Sequence, residues 1–224
     1  MSLIIIDGLD GSGKTTQTAM IADALTKDGT AAKYLKFPCY DEKSSALVRM
    51  YLDGEIAKEP GGVNPYAAAA FYACDRYISY LKSWGADYHA GKTIICDRYT
   101  TSNAIHQTSK QDFKEWDTFL RWLDDFEYGK LNLPRPDLVI YLDMDTEIAA
   151  SLVSARCNDL DCTNAKKKDI HEQSLIYLQK CRKAALYAAE KLGWQVVKCF
   201  SGGEPLPKEE IHSTLMELIW RIKC

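Results

Sequence analysis

The chain has 224 residues, enough for one α/β domain with a core of its own. Its net charge of −3 and pI near 5.8 argue against a nucleic-acid partner held over a broad basic surface, though a local basic pocket is compatible with them. The opening Met1-Ser-Leu-Ile-Ile-Ile-Asp7 lacks the basic flank of a secretion signal and is too short an apolar run to cross a membrane, so a cytoplasmic protein without a membrane partner is expected.

Leu3 to Ile6 reads as a short, fully apolar strand. Gly8-Leu-Asp-Gly-Ser-Gly-Lys-Thr15 follows, and then a helix with Ile21, Ala24 and Leu25 on one face. This is G-x-x-x-x-G-K-[ST] between a strand and a helix, the context a phosphate-binding loop requires. Glycines at 8, 11 and 13 let the backbone curl so that N–H groups point at phosphate oxygens, and the helix adds the positive end of its dipole. Lys14 is expected to reach the β- and γ-phosphates of ATP and the Thr15 hydroxyl to hold Mg²⁺, with Asp10, Ser12 and Thr16 completing the loop. The chain has no Asn-Lys-x-Asp for reading guanine and no Leu-Ser-Gly-Gly-Gln of transporter ATPases, which leaves a small kinase whose acceptor site comes from the same chain.

Ala32 to Phe37 is a second strand. Asn64-Pro65 is a cap and first-turn proline opening a helix that runs past Leu81. Tyr72 and Arg76 share a face of that helix, where a ring can stack on a pyrimidine and a guanidinium can bond a ring carbonyl; a core aromatic beside a surface arginine would look the same. Thr93 to Cys96 is a third apolar strand, ending in Asp97. Ligands gather at the C-terminal strand ends of such sheets, so Asp97 is the expected second partner of Mg²⁺. Arg98 suits a phosphate lying between donor and acceptor, while a structural Asp-Arg ion pair explains the same two residues equally well.

Phe113, Trp116, Leu120 and Leu123 make an apolar helical stripe between about 112 and 127. Leu138 to Leu142 is the fourth strand, and Ile148, Leu152 and Ala155 mark the helix after it. Residues 157 to 170 have no apolar period, carry Lys166-Lys167-Lys168, and read as a mobile surface segment. Gln195 to Phe200 is the last strand, Ser201-Gly202-Gly203 a turn, and Ile211, Leu215, Leu218 and Ile222 the final helix, with Glu209 and Glu210 at its positive end. Short buried runs alternating with helices indicate a parallel sheet covered on both faces. The eight cysteines are scattered, without zinc spacing, and read as buried free thiols.

Asp97-Arg98-Tyr99-Thr-Thr-Ser102-Asn103, together with the phosphate loop, resembles thymidylate kinases. Further similar pieces occur in order: Phe37-Pro38-Cys39-Tyr40, Leu52-Asp53-Gly54-Glu55, Asn64-Pro-Tyr-Ala-Ala, Asp75-Arg76, Pro136-Asp137 through Asp143, and Asp169-x-x-Glu172. The resemblance spans nearly the whole chain. It implies a P-loop NTPase fold over residues 1–224, a single nucleoside monophosphate kinase domain with a five-stranded parallel sheet ordered 2-3-1-4-5, helices on both faces and a mobile lid at about 154–170.

It also implies transfer of the γ-phosphoryl group of Mg-ATP to dTMP by a homodimer that uses the helices around 43 to 52 and 64 to 84. Another pyrimidine (deoxy)nucleoside monophosphate or a deoxynucleoside is the alternative acceptor; a nucleotide-dependent regulatory switch is the alternative of another class. By the same resemblance Asn103 meets the base edge, Tyr40 lies near the monophosphate, and Asp10 contacts the sugar hydroxyl and helps order the metal. Phe37, Ser102, His106 and Gln107 join Tyr72, Arg76 and Arg98 around the acceptor. Three positions depart from the pattern. Cys39 stands where many relatives have arginine, His106 where many have tyrosine, and Gly11 where some carry a loop arginine. The last departure turns attention to Arg156 and the three lysines as sources of charge over the γ-phosphate, Arg156 above all because a guanidinium grips two oxygens; a solvated face explains the lysines as well.

Overall fold

The computed structural model describes residues 2–59, 61–159 and 175–223. Five strands form one parallel sheet: β1 (Ser2–Gly8), β2 (Ala32–Lys36), β3 (Thr93–Asp97), β4 (Leu138–Asp143) and β5 (Gln195–Lys198), ordered β2-β3-β1-β4-β5, which is the order expected. The alternation along β1 sorts the core. Ile4 and Ile6 pack with Ile21, Leu25, Ile140, Leu215 and Ile219 on one face, while Leu3 and Ile5 pack with Phe37, Trp84, Ile94, Cys96 and Tyr99 on the other. The first face is covered by α1 (Lys14–Lys27) and α9 (Lys208–Lys223), the second in part by the continuation of α3 (Pro65–Ser79) through Tyr80, Trp84 and Tyr88.

Several elements differ from the sequence expectation in extent. The helix opened by Asn64 runs as α3 to Ser79, widens into a π-helical turn at Tyr80–Trp84 and resumes as α4 (Gly85–His89). The stripe at 112–127 is a 3₁₀ turn at Phe113–Glu115, then α6 (Trp116–Asp124), then a second π-helical stretch at Asp125–Lys130. The last strand ends at Lys198: Cys199 N–H still makes the final ladder bond to Asp143 O (2.8 Å), but Phe200–Ser201 (β6) pairs instead with Glu204–Pro205 (β7) around the expected turn. α7 (Thr146–Asp159) carries 157–159 in helix, which shortens the expected surface segment; the rest of that segment, with Lys166, Lys167 and Lys168, lies outside the described residues. Cys96, Cys181 and Cys199 are buried, but Cys74 is exposed on α3 and Cys39 half-exposed, so the buried-thiol expectation fails for those two. No helix among the described residues is long and apolar enough to cross a membrane. The remaining helices are α2 (Ala46–Leu52), α5 (Thr100–His106) and α8 (Leu175–Leu192).

The register matters for function. β1 lies between β3 and β4, with Ile6 opposite Asp97. The ends of β1 and β3 therefore deliver the phosphate loop and Asp97-Arg98 to one edge. Ile5, fully buried between β3 and β4, is a direct test of this core. Ile5→Ala is expected to cost about 2–5 kcal/mol in urea unfolding, against within about 0.5 kcal/mol for Val196→Ala on the half-exposed last strand.

Candidate active site

The phosphate loop turns because its glycines allow it. Gly11 and Gly13 have φ of 88° and 86°, and Ser12 N–H closes a turn onto Leu9 O at 3.0 Å. A Cβ at Gly11 would lie 2.3 Å from Ala149 O of α7, so the loop is pressed against that helix with no room for a side chain. A Cβ at Gly8 would likewise meet Ser12 Oγ at 2.4 Å. The first N–H groups of α1 have no preceding turn to bond and make its start an anion site. Thr16 is exposed beyond it.

Lys14 is buried, with Nζ 2.7 Å from Asp10 Oδ1 and 3.3 Å from Leu9 O. Arg98 reaches the same carboxylate oxygen at 2.6 Å and stands 3.6 Å from Asp7 Oδ1, and its backbone is left-handed at φ 71°. Burial pushes the Asp10 carboxyl up, but Lys14 and Arg98 outweigh it and hold it below the usual carboxylate range. Burial, with Arg98 alongside, pulls Lys14 below the usual lysine range despite Asp10 and Asp97. Arg98 is held cationic: burial opposes its charge, and Asp10, Asp7 and Asp97 more than offset this. One carboxylate thus bridges two cations.

Thr15 Oγ1 donates to Asp97 Oδ2 at 2.5 Å. Asp97 Oδ1 is buried without any partner, and Lys36 Nζ stands 4.0 Å from Oδ2. An orphaned carboxylate oxygen beside a hydroxyl is a hard-oxygen donor pair, and it fits Mg²⁺.

A cavity of about 260 Å³ opens from this point. Asp10, Lys14, Thr15 and Arg98 give it one charged group of lining residues, with Lys14 and Arg98 both on Asp10. Tyr72, Arg76 and Asn103 give it a second, with Arg76 and Asn103 both on Glu127 and Tyr72 meeting Tyr51 edge-on at 6.4 Å. Phe37, Tyr40, Ser102, His106 and Gln107 line it as well. Every residue expected around the acceptor is therefore brought to one cavity. His106 sits with Nε2 3.4 Å from Arg98 and Nδ1 3.4 Å from the Tyr177 hydroxyl, its ring stacked over that tyrosine. Gln107 is buried and accepts from Lys110 at 2.8 Å. Cys39 is not in the lining: its thiol turns to Lys36 O and Ser79 Oγ, while its N–H bonds Asp75. Asp75 is thus a brace for the 37–45 turn, also accepting from Ser44 Oγ at 2.6 Å. The side chain of Arg156 lies outside what the structure describes.

Two carboxylates in this region were not anticipated. Asp7 is fully buried and accepts from Gly8 N (2.8 Å), Thr101 Oγ1 (2.6 Å) and Ser102 Oγ (2.8 Å), tying β1 to α5. It ends an apolar strand just as Asp97 does, a signal available in the sequence. Glu127 is fully buried in the π-helical stretch after α6. It accepts from Arg76 Nε at 2.8 Å, Arg76 Nη2 at 2.5 Å and Asn103 Nδ2 at 2.9 Å. Its signal was a charge falling in phase with the stripe of Trp116, Leu120 and Leu123. Removing one member of such a buried pair typically costs about 3–5 kcal/mol, because the other charge is stranded.

Comparison with known proteins agrees with this arrangement. A family model described as thymidylate kinase matches residues 6–204. A probable thymidylate kinase of Pyrococcus abyssi is 30% identical over 69% of this chain and 71% of its own length. The thymidylate kinase of Schizosaccharomyces pombe is 28% identical over 97% of this chain and 90% of its own. A solved thymidylate kinase structure from Candida albicans shares the fold, with a TM-score of 0.73 over 99% of this chain and 92% of that one at 22% identity. Matched by that family model over most of its length, and 30% identical to the Pyrococcus protein, this chain belongs to the thymidylate kinase family.

Proposed function

We propose that this chain transfers the γ-phosphoryl group of ATP to dTMP, giving dTDP and ADP. The observation that carries the reading is one cavity lined both by Lys14, Thr15 and Arg98 and by Tyr72, Arg76 and Asn103. That lining suits an acceptor whose phosphate must meet ATP while its base is recognised by the second group. The acceptor oxygen is already ionised, so no catalytic base is needed; the protein aligns the two phosphates and neutralises charge. Lys14 holds the donor phosphates within the loop of Gly8, Asp10, Gly11, Ser12, Gly13, Thr15 and Thr16. Arg98 sits between donor and acceptor. Thr15 and Asp97 would hold Mg²⁺, which would supply charge neutralisation on the phosphates. Tyr72 and Phe37 flank the base, Arg76 and Asn103 take its edge, and Tyr40, Ser102, His106 and Gln107 enclose the sugar and monophosphate, with Asp10 near the sugar hydroxyl.

The same reading includes a cytoplasmic homodimer. Its support is an exposed apolar face on neighbouring helices: Leu47 and Met50 on α2, Ile78 on α3, and Leu81 just beyond it, 63% exposed. A coupled ADP-release assay over a panel of pyrimidine nucleosides and monophosphates tests the activity. dTMP should give the highest kcat/KM, and Lys14→Met should lose about 10²-fold or more while remaining folded by circular dichroism. A preference for another acceptor would assign the site to that nucleotide. Hydrolysis without transfer to any acceptor would make the chain a regulatory ATPase.

The contact of Gly11 with Ala149 bears on where further catalytic charge comes from. No arginine fits at that loop position, so the remaining sources are Arg98 and the lid, with Arg156 and Lys166 to Lys168. Neutralising those four lid residues together is expected to lower kcat by about 10³-fold, in the range of a supplied arginine, with the KM for dTMP nearly unchanged. A near-normal kcat in that variant would place the charge on Arg98 or on the metal alone.

A further inference from the structure

Asn103 lines the cavity, and what it can say to a base depends on which end of its amide faces in. Its Nδ2 donates to Ala69 O at 3.0 Å and to Glu127 Oε1 at 2.9 Å. Two acceptors on one side therefore take both N–H bonds of the amide. The reversed amide would set its oxygen against two oxygens in a buried site, so that orientation is excluded. The amide oxygen is what remains for a ligand. Beside it, Arg76 commits three of its five N–H bonds, two to Glu127 and one to Tyr99 O at 3.1 Å, which leaves N–H donors for the cavity.

One carboxylate, Glu127, thus fixes both groups. It does not line the cavity and is fully buried. The resulting edge offers donors from Arg76 and an acceptor from Asn103. A pyrimidine with a ring N–H next to a carbonyl matches that order. Cytosine presents the reverse, a bare ring nitrogen next to an amino group, and would set acceptor against acceptor and donor against donor.

We propose that Glu127 is a positioning residue that sets the hydrogen-bonding polarity of the base pocket and thereby rejects cytosine. The inference rests on reading this group of lining residues as the base site. Glu127 acts without touching the nucleotide, by holding Arg76 and Asn103 in one donor-acceptor register.

Glu127→Gln keeps the shape and replaces one acceptor oxygen with a donor. Whichever way the new amide turns, at least one N–H of Arg76 or Asn103 then faces another donor. The readout is the ratio of kcat/KM for dTMP over dCMP, measured at saturating ATP. The expected result is a fall in that ratio of about 10- to 100-fold, the range set by reversing a paired base contact, with the KM for dTMP rising and that for ATP steady. Glu127→Asp keeps the charge but is one methylene short of spanning both partners, and should lower the ratio in the same direction; it supplies the reading if the glutamine variant does not fold. A folded variant that slows both nucleotides equally, or keeps the ratio, overturns the proposal and leaves Glu127 a packing residue. An unmodified chain that fails to phosphorylate dTMP overturns the functional reading itself. The two failures are therefore told apart by the unmodified enzyme.

Discussion

The arrangement rests on one shared carboxylate oxygen. Asp10 Oδ1 lies within 2.7 Å of both Lys14 and Arg98, two largely buried cations that would otherwise stand near each other without a shared counter-charge. Like charges at such range are costly, and the loop, β3 and α5 could not close on one another without the bridge. Asp7 adds the second tether, binding α5 through Thr101 and Ser102 while standing beside Arg98. Lys14, Arg98, Thr101 and Ser102 are therefore held by contacts within the protein itself, which fixes the charged groups around the loop before any other partner is considered.

Much of this was legible from residue types in order. The strands of the sheet were visible because parallel strands covered on both faces must be apolar throughout, and Leu3-Ile-Ile-Ile6 or Thr93-Ile-Ile-Cys96 has few other uses. The phosphate loop was visible because its glycines, lysine and hydroxyl are needed at fixed spacing. Tyr72 and Arg76 could be placed on one helical face, but composition alone could not say whether that face met solvent or a cavity. The fold decides it: Arg76 is only 2% exposed.

What stayed hidden involves partners distant in sequence. Glu127 lies 51 residues from Arg76 and 24 from Asn103, and no local pattern joins them. The widened turns at Tyr80–Trp84 and Asp125–Lys130 were also unreadable, since an extra residue per turn leaves composition unchanged. The end of β5 was misplaced for a similar reason: Phe200 continues an apolar run, yet its backbone pairs with Pro205 in a separate two-stranded hairpin. Cys39 fits the same lesson. Its departure from the arginine of relatives concerns a side chain that turns away from the cavity.

The π-helical stretch after α6 has one consequence for how this protein can change over time. A residue added to or removed from Asp125–Lys130 would convert the wide turn to another periodicity and rotate what lies beyond by about 100°. A change placed before Glu127 would swing it off Arg76 and Asn103, although neither of those residues had altered. Loops at a surface ordinarily absorb insertions and deletions with little harm. Here the length of the stretch matters as much as its residue types, and the hold on Arg76 and Asn103 can be lost through the periodicity of a helix.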